Sequence, residues 1–205
     1  MTHRADSVIV LDFETTGMSP HYGDRVIEVG AVRIEAGEIV DRFQGLMNPG
    51  IRINSFIEEF TGITNAMVAE APPCEAVMSD LQLFVGDSAI VAHNSSFDRR
   101  FLQAEWRRLK LECENPFACS MLTARRIYPD APNHKLGTLV AFNQLKNDGV
   151  FHRALADAEM TAHLWLHMLQ QIERRFDVFD IRFSTMQKLA KVSKSSVSKF
   201  FAQLA

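Results

Sequence analysis

Residues 7–17 read Ser7-Val8-Ile9-Val10-Leu11-Asp12-Phe13-Glu14-Thr15-Thr16-Gly17. Five positions of apolar, mostly β-branched character run straight into two acids. Such a run reads as a buried central strand, because β-branched side chains pack well on a pleated surface. Thr15 to Pro20 then reads as a loop. Side chains alternate across a strand, so Asp12 and Glu14 point to the same face. Two like charges beside a buried strand repel each other and lose hydration. Either the strand ends at Leu11 and both acids are solvated, or a cation lies between them. Hard cations such as Mg²⁺ prefer oxygen ligands and use few protein carboxylates.

Outward from this strand, Arg25–Glu35 partly alternates and Glu38–Met47 follows a turn at Ala36-Gly37, which together read as a hairpin. Ser88–Ala92 reads as a short buried strand. Helical spacing covers Pro73–Val85, Phe97–Lys110, Ser120–Tyr128 with Ser120 as N-cap, Leu136–Leu145 and Ala154–Gln170. The sum is an α/β fold, an antiparallel meander extended by short strands through helical crossovers, with helices on its faces. Residues 1–172 form the expected body and residues 173–205 a basic, helical extension.

The 205 residues suit one domain plus an appendage. Net charge is −3, yet residues 1–170 carry −7 and residues 171–205 carry +4. An acidic body opposes general phosphate binding unless several carboxylates hold metal ions. No apolar run approaches the ~20 residues of a membrane span, and Met1–Ser7 lacks a signal-peptide core. Cys74, Cys113 and Cys119 stand in no CxxC spacing, which fits a reducing, cytoplasmic setting.

Two more acids share the setting of the first pair. Ile90-Val91-Ala92 runs into His93-Asn94-Ser95-Ser96-Phe97-Asp98, with Asp98 at the start of a helix. Asp157 lies one turn into the longest helix, and His152 just before it. Taken singly, each aspartate reads as a helix-dipole acid and His152 as a surface or capping residue. Together, four carboxylates from three element ends match the count of a two-metal hydrolytic centre. An imidazole beside them ionises near neutrality and suits a general base.

These segments, in this order, resemble the DEDDh 3′–5′ exonucleases of the ribonuclease H-like superfamily. Asp12-Phe13-Glu14-Thr15-Thr16-Gly17 matches DxETTG, His93 to Asp98 matches HNxxFD, and His152 to Asp157 matches H-x4-D. Phe60-Thr61-Gly62-Ile63-Thr64 resembles the family's LTGIT, with Phe for Leu. Each motif alone is moderately specific; three in order are highly specific. Within the family the segments are similar to the proofreading epsilon subunit of bacterial DNA polymerase III and to the exonuclease domain of Gram-positive replicative polymerases. The resemblance implies a mixed five-stranded sheet with helices on both faces. It implies two Mg²⁺ or Mn²⁺ ions on Asp12, Glu14, Asp98 and Asp157, and His152 as general base. No catalytic position departs from the pattern, which argues for an active member. The implied reaction releases nucleoside 5′-monophosphates from DNA 3′ ends in proofreading or repair. Its rivals are an RNA 3′-end exoribonuclease and a non-catalytic subunit bound to a polymerase. A polymerase partner and a homodimer both stay open.

Substrate contacts are expected at Thr15 and Thr16, at Thr61, Gly62 and Ile63, and at Phe13, Asn94 and Phe97. For Phe13 core packing is favoured, and for Phe97 burial weighs at least as heavily. The helix face of Arg99, Arg100, Arg107 and Arg108 reads as solvated. Leu189–Phe201 weakly resembles a helix-turn-helix unit, but a terminal helix docking Phe200, Phe201 and Leu204 on the body is the favoured reading.

Overall fold

The structure, a computed structural model, describes residues 3–146 and 152–204. Five strands form one sheet: β1 (Val8–Thr15), β2 (Val26–Glu35), β3 (Glu38–Leu46), β4 (Ile90–Ala92) and β5 (Phe117–Cys119). Their order is β3-β2-β1-β4-β5. β1, β2 and β3 pair antiparallel, whereas β4 and β5 join in parallel. The expected mixed sheet is therefore present, and β5 is a strand that composition did not signal. At three residues it is too short to carry a period.

Nine helices accompany the sheet among the described residues: α1 (Ser55–Thr61), α2 (Asn65–Glu70), α3 (Cys74–Val85), α4 (Ser96–Arg108), α5 (Ser120–Ile127), α6 (Leu136–Phe142), α7 (Ala154–Phe176), α8 (Phe183–Leu189) and α9 (Val197–Ala202). Alternation along β1 sorts them. Val8 and Val10 face a core shared with α5, α6 and α7, while Ile9, Leu11 and Phe13 face a core shared with α3 and α4. The helices thus cover both faces. Ser120 does not cap α5 as expected; Cys119 holds that position, and the Ser120 hydroxyl turns to His93 instead. α7 runs past Gln170 to Phe176 because no breaker stops it, and Asp177 ends it in a left-handed conformation.

The C-terminal segment is part of the body. Phe183, Met186, Leu189 and Phe201 are buried in the core that α7 also lines. Phe201 stacks on Phe176 at 4.3 Å between ring centroids, Phe200 is half-buried, and Leu204 stays exposed. Backbone bonds from Ala5 to Ile181 and from Phe183 to His3 tie residues 3–5 to residues 181–183. Among the described residues no helix is long and apolar enough to cross a membrane.

Candidate active site

Even-numbered residues of β1 face α7, so Asp12 and Glu14 continue the row of Val8 and Val10 where the apolar packing stops. α7 brings Asp157 to the same place. Asp12, Glu14 and Asp157 each offer a carboxylate oxygen, and these atoms lie within 4.8 Å of one another. Asp98, at the start of α4, is buried beside them and adds to the repulsion on Asp12. Its carboxylate accepts from its own amide and from the Phe13 amide, which ties α4 to β1.

The electrostatics follow from crowding acids with little water. Burial, then the charges of Asp98, Asp157 and Glu14, hold Asp12 well above the ordinary carboxylate range. Burial, with Asp157, Glu28 and Asp98, pushes Glu14 up to about 8. Burial pushes Asp98 up to about 7 against its two amide hydrogen bonds. Acids arranged this way protonate or bind cations, and an all-oxygen donor set fits a divalent hard cation. The residues present therefore fit the metal that the motifs imply.

His152 precedes α7 with φ 61°, a left-handed conformation. Its amide donates to the Asp157 carboxylate at 3.0 Å, and its exposed ring lies on Phe60, 4.0 Å between centroids. His93, the other motif histidine, has a structural part. Burial lowers its pKa to about 4, so it is neutral with one N–H. The His134 carbonyl, 2.9 Å from Nε2, can only accept, which places that proton on Nε2; Nδ1 then accepts from Ser120 at 2.9 Å. This bridge joins the end of β4 to α5 and the loop before α6.

The expected substrate contacts divide. Phe13 and Ile63 are corrections: both side chains are buried in apolar clusters, leaving at most their backbone to a substrate. The Thr15 hydroxyl donates to the Gly17 carbonyl at 2.6 Å, and the Thr16 hydroxyl donates to Asp24 at 3.3 Å and accepts from the Arg25 amide at 3.0 Å. Both hydroxyls thus stiffen the loop after the acids. Thr61 is buried, donating to the Ile57 carbonyl. Phe97 is half-buried against Phe101, while Asn94 (φ 76°) and Gly62 (φ 72°) are exposed.

One residue in the site went unread. Glu28 on β2 sits opposite Glu14 in the register and is fully buried. Its carboxylate takes Arg153 at 2.6 Å, the Ala154 amide at 3.0 Å and Gln44 at 3.1 Å. Burial alone would raise its pKa; the Arg153, Ala154 and Gln44 hydrogen bonds outweigh this and lower it. The signal was an acid inside Val26-Ile27-Glu28-Val29-Gly30, an otherwise apolar strand.

Comparison with known proteins agrees with this geometry. An exonuclease family model, RNase_T, matches residues 9–165. A PolC-type DNA polymerase III of Bacillus subtilis is 40% identical over 168 residues, covering 80% of this chain and 12% of that protein. The 3′-5′ exonuclease DinG of Bacillus subtilis is 34% identical over 194 residues, covering 93% of this chain and 20% of its own length. The chain thus spans about an eighth of the polymerase relatives and a fifth of DinG. A solved structure of exonuclease X in complex with 5′ overhanging duplex DNA superposes with TM-score 0.69 at 27% identity, covering 89% of this chain and 98% of that one. The sheet order, the acidic cluster and the matched span agree, and the chain belongs to the RNase_T family of exonucleases.

Proposed function

We propose that the chain is a metal-dependent 3′–5′ exonuclease acting on DNA 3′ ends, single strands above all. The observation that carries this reading is the group of Asp12, Glu14 and Asp157 oxygens within 4.8 Å of one another. Asp12, Glu14, Asp98 and Asp157 would hold two divalent cations, Mg²⁺ or Mn²⁺. When bound, such ions polarise the phosphodiester and lower the pKa of water.

The chain's own groups do the rest. His152 takes a proton from the attacking water at an imidazole nitrogen. The water oxygen forms a bond to the terminal phosphorus, the P–O3′ bond breaks, and the 3′ oxygen of the shortened strand leaves with a proton. The product is a nucleoside 5′-monophosphate. Asp98, tied to the Phe13 amide, fixes the acids' spacing. Similarity to PolC-type polymerases supports a role in proofreading or repair beside a polymerase chain.

The test is digestion of 3′- and 5′-labelled single-stranded DNA and RNA with Mg²⁺, Mn²⁺ or EDTA. Stepwise shortening from the 3′ end, lost in EDTA and in Asp12→Ala, is expected. Faster shortening of RNA than of DNA would move the reading to RNA processing. No cleavage of either polymer with Mn²⁺ would overturn it.

A further inference from the structure

α1 carries two aromatic rings that face solvent. Phe56 and Phe60 are four residues apart and share one helix face. Their rings are parallel to within 10°, with centroids 6.0 Å apart. Phe56 is 68% exposed and Phe60 49%. α1 is anchored through Ile57, which packs against Ile27, Ile53, Ile63 and Val68. Two phenyl rings side by side in water forfeit the free energy that burial gives, about 25 cal/mol per Å². The row has a direction, because the Phe60 ring also lies on His152. His152, Phe60 and Phe56 thus lead outward from the carboxylates.

We propose that Phe56 is a nucleobase subsite: it stacks the base of the nucleotide next to the terminal one, and so selects 3′ ends with at least two unpaired nucleotides. This rests on the exonuclease reading of the site. A scissile phosphodiester at Asp12, Glu14 and Asp157 puts the terminal nucleotide beside His152 and Phe60. The next base then lies one step along the row, at Phe56. An aromatic face takes any base, because stacking needs a π surface and no edge pattern. That tolerance suits an enzyme that must shorten every sequence. A base inside a duplex has both faces covered by its neighbours, so it reaches Phe56 only by leaving the helix.

Steady-state kinetics with Mn²⁺ on the full chain test this. The substrates are two single-stranded oligonucleotides, identical except that one lacks the base at the penultimate position. With the intact oligomer, Phe56→Ala should raise KM by about 5- to 100-fold, the usual cost of one lost base stack, with kcat within about twofold. Phe56→Trp should restore KM. With the abasic oligomer the wild type should already show the raised KM, and Phe56→Ala should add nothing. Phe56 is exposed, so matched melting curves will show that the variants fold. An equal Phe56→Ala penalty on both oligomers, or none on the intact one, overturns the proposal. Anisotropy of the labelled oligomers with Ca²⁺ reads the same coupling without turnover. A wild type that prefers the intact oligomer yet never cuts it would sink the exonuclease reading and leave the subsite standing.

Discussion

Glu28 and Arg153 form a two-pronged ion pair, Nη2 to Oε1 at 2.6 Å and Nε to Oε2 at 3.1 Å, across 125 positions of sequence. The pair joins β2 to the first turn of α7, and the adjacent Ala154 amide donates to the same carboxylate. It therefore sets where α7 starts, with Asp157 one turn onward and His152 one residue before. The Glu28 side chain is 1% exposed and that of Arg153 38%. Glu28→Gln should cost about 1.5–3 kcal/mol, the range for hydrogen bonds to charged groups. Arg153→Ala should cost at least as much, since it strands a buried carboxylate. Urea unfolding measures both, and turnover should fall with stability. A Glu28→Gln protein as stable and active as wild type would remove the pair from this role.

Gly30 lies where β2 and α7 touch. A Cβ there would stand 2.2 Å from the Ala154 carbonyl carbon and the Leu155 amide nitrogen, which are backbone atoms. At Gly45 the corresponding clash, 2.3 Å, is with a methyl group of Val77, which can turn aside. Gly30→Ala should destabilise by about 1–3 kcal/mol or more, and Gly45→Ala by less. Thermal melts of the two variants give the ranking, and the reverse order would contradict the close approach.

Without metal, the carboxylates at the end of β1 repel. Asp12→Asn removes one charge from that group, so in EDTA the variant should melt above wild type, by about 2–4 °C per kcal/mol of repulsion relieved. With Mn²⁺ the order should reverse, because wild type gains ligand stabilisation that the variant lacks. Cleavage should fall at least about 10²–10³-fold. A variant that melts below wild type in EDTA would mean that Asp12 contributes to folding by other contacts.

The same acids give metal-free stability a pH slope. Glu14 rises from 4.5 to about 8 and Asp98 from 3.8 to about 7 on folding. Raised folded values mean that the native state holds protons the unfolded chain has lost. Their contribution is full below pH about 4 and declines as pH rises to 8. In EDTA the melting temperature should fall between pH 5 and 8. Saturating Mn²⁺ should flatten the fall, since bound cations replace those protons. A flat EDTA profile would remove the raised values.

His152 sits at φ 61°, which asparagine tolerates better than alanine does. His152→Asn is therefore the cleaner probe of the base. It should lower kcat about 10²–10⁴-fold with melting unchanged. The acidic limb of the pH–rate profile should vanish with it. If that limb survives in His152→Asn, another group takes the proton.

Much of this was legible in residue order. The run Val8–Leu11 ending in Asp12 and Glu14 disclosed the central strand, and alternation alone put both acids on one face. Asp98 and Asp157 stood out only through their motifs, since a helix-start aspartate is ordinary. Glu28 stayed hidden because its partner lies beyond a hundred intervening residues and only the fold brings them together. α1 and α2 were missed because seven and six residues hold too few turns to show a period. Thr15 and Thr16 were read as substrate contacts, but short polar side chains in a tight loop met the Gly17 carbonyl and Asp24 first.

The backbone bonds between residues 3–5 and 181–183 have an architectural meaning. β1 runs from that seam toward Asp12 and Glu14, so the seam lies at the opposite end of the strand from the acids. Everything between the two clasped segments is a loop in the topological sense, entered and left at one place. Such a module can be spliced into the surface of a larger chain with both joints side by side, and neither joint strains the catalytic end. An insertion made through the seam would leave the acids' geometry undisturbed, whereas one through the β2–β3 turn would have to pass beside the sheet that holds them.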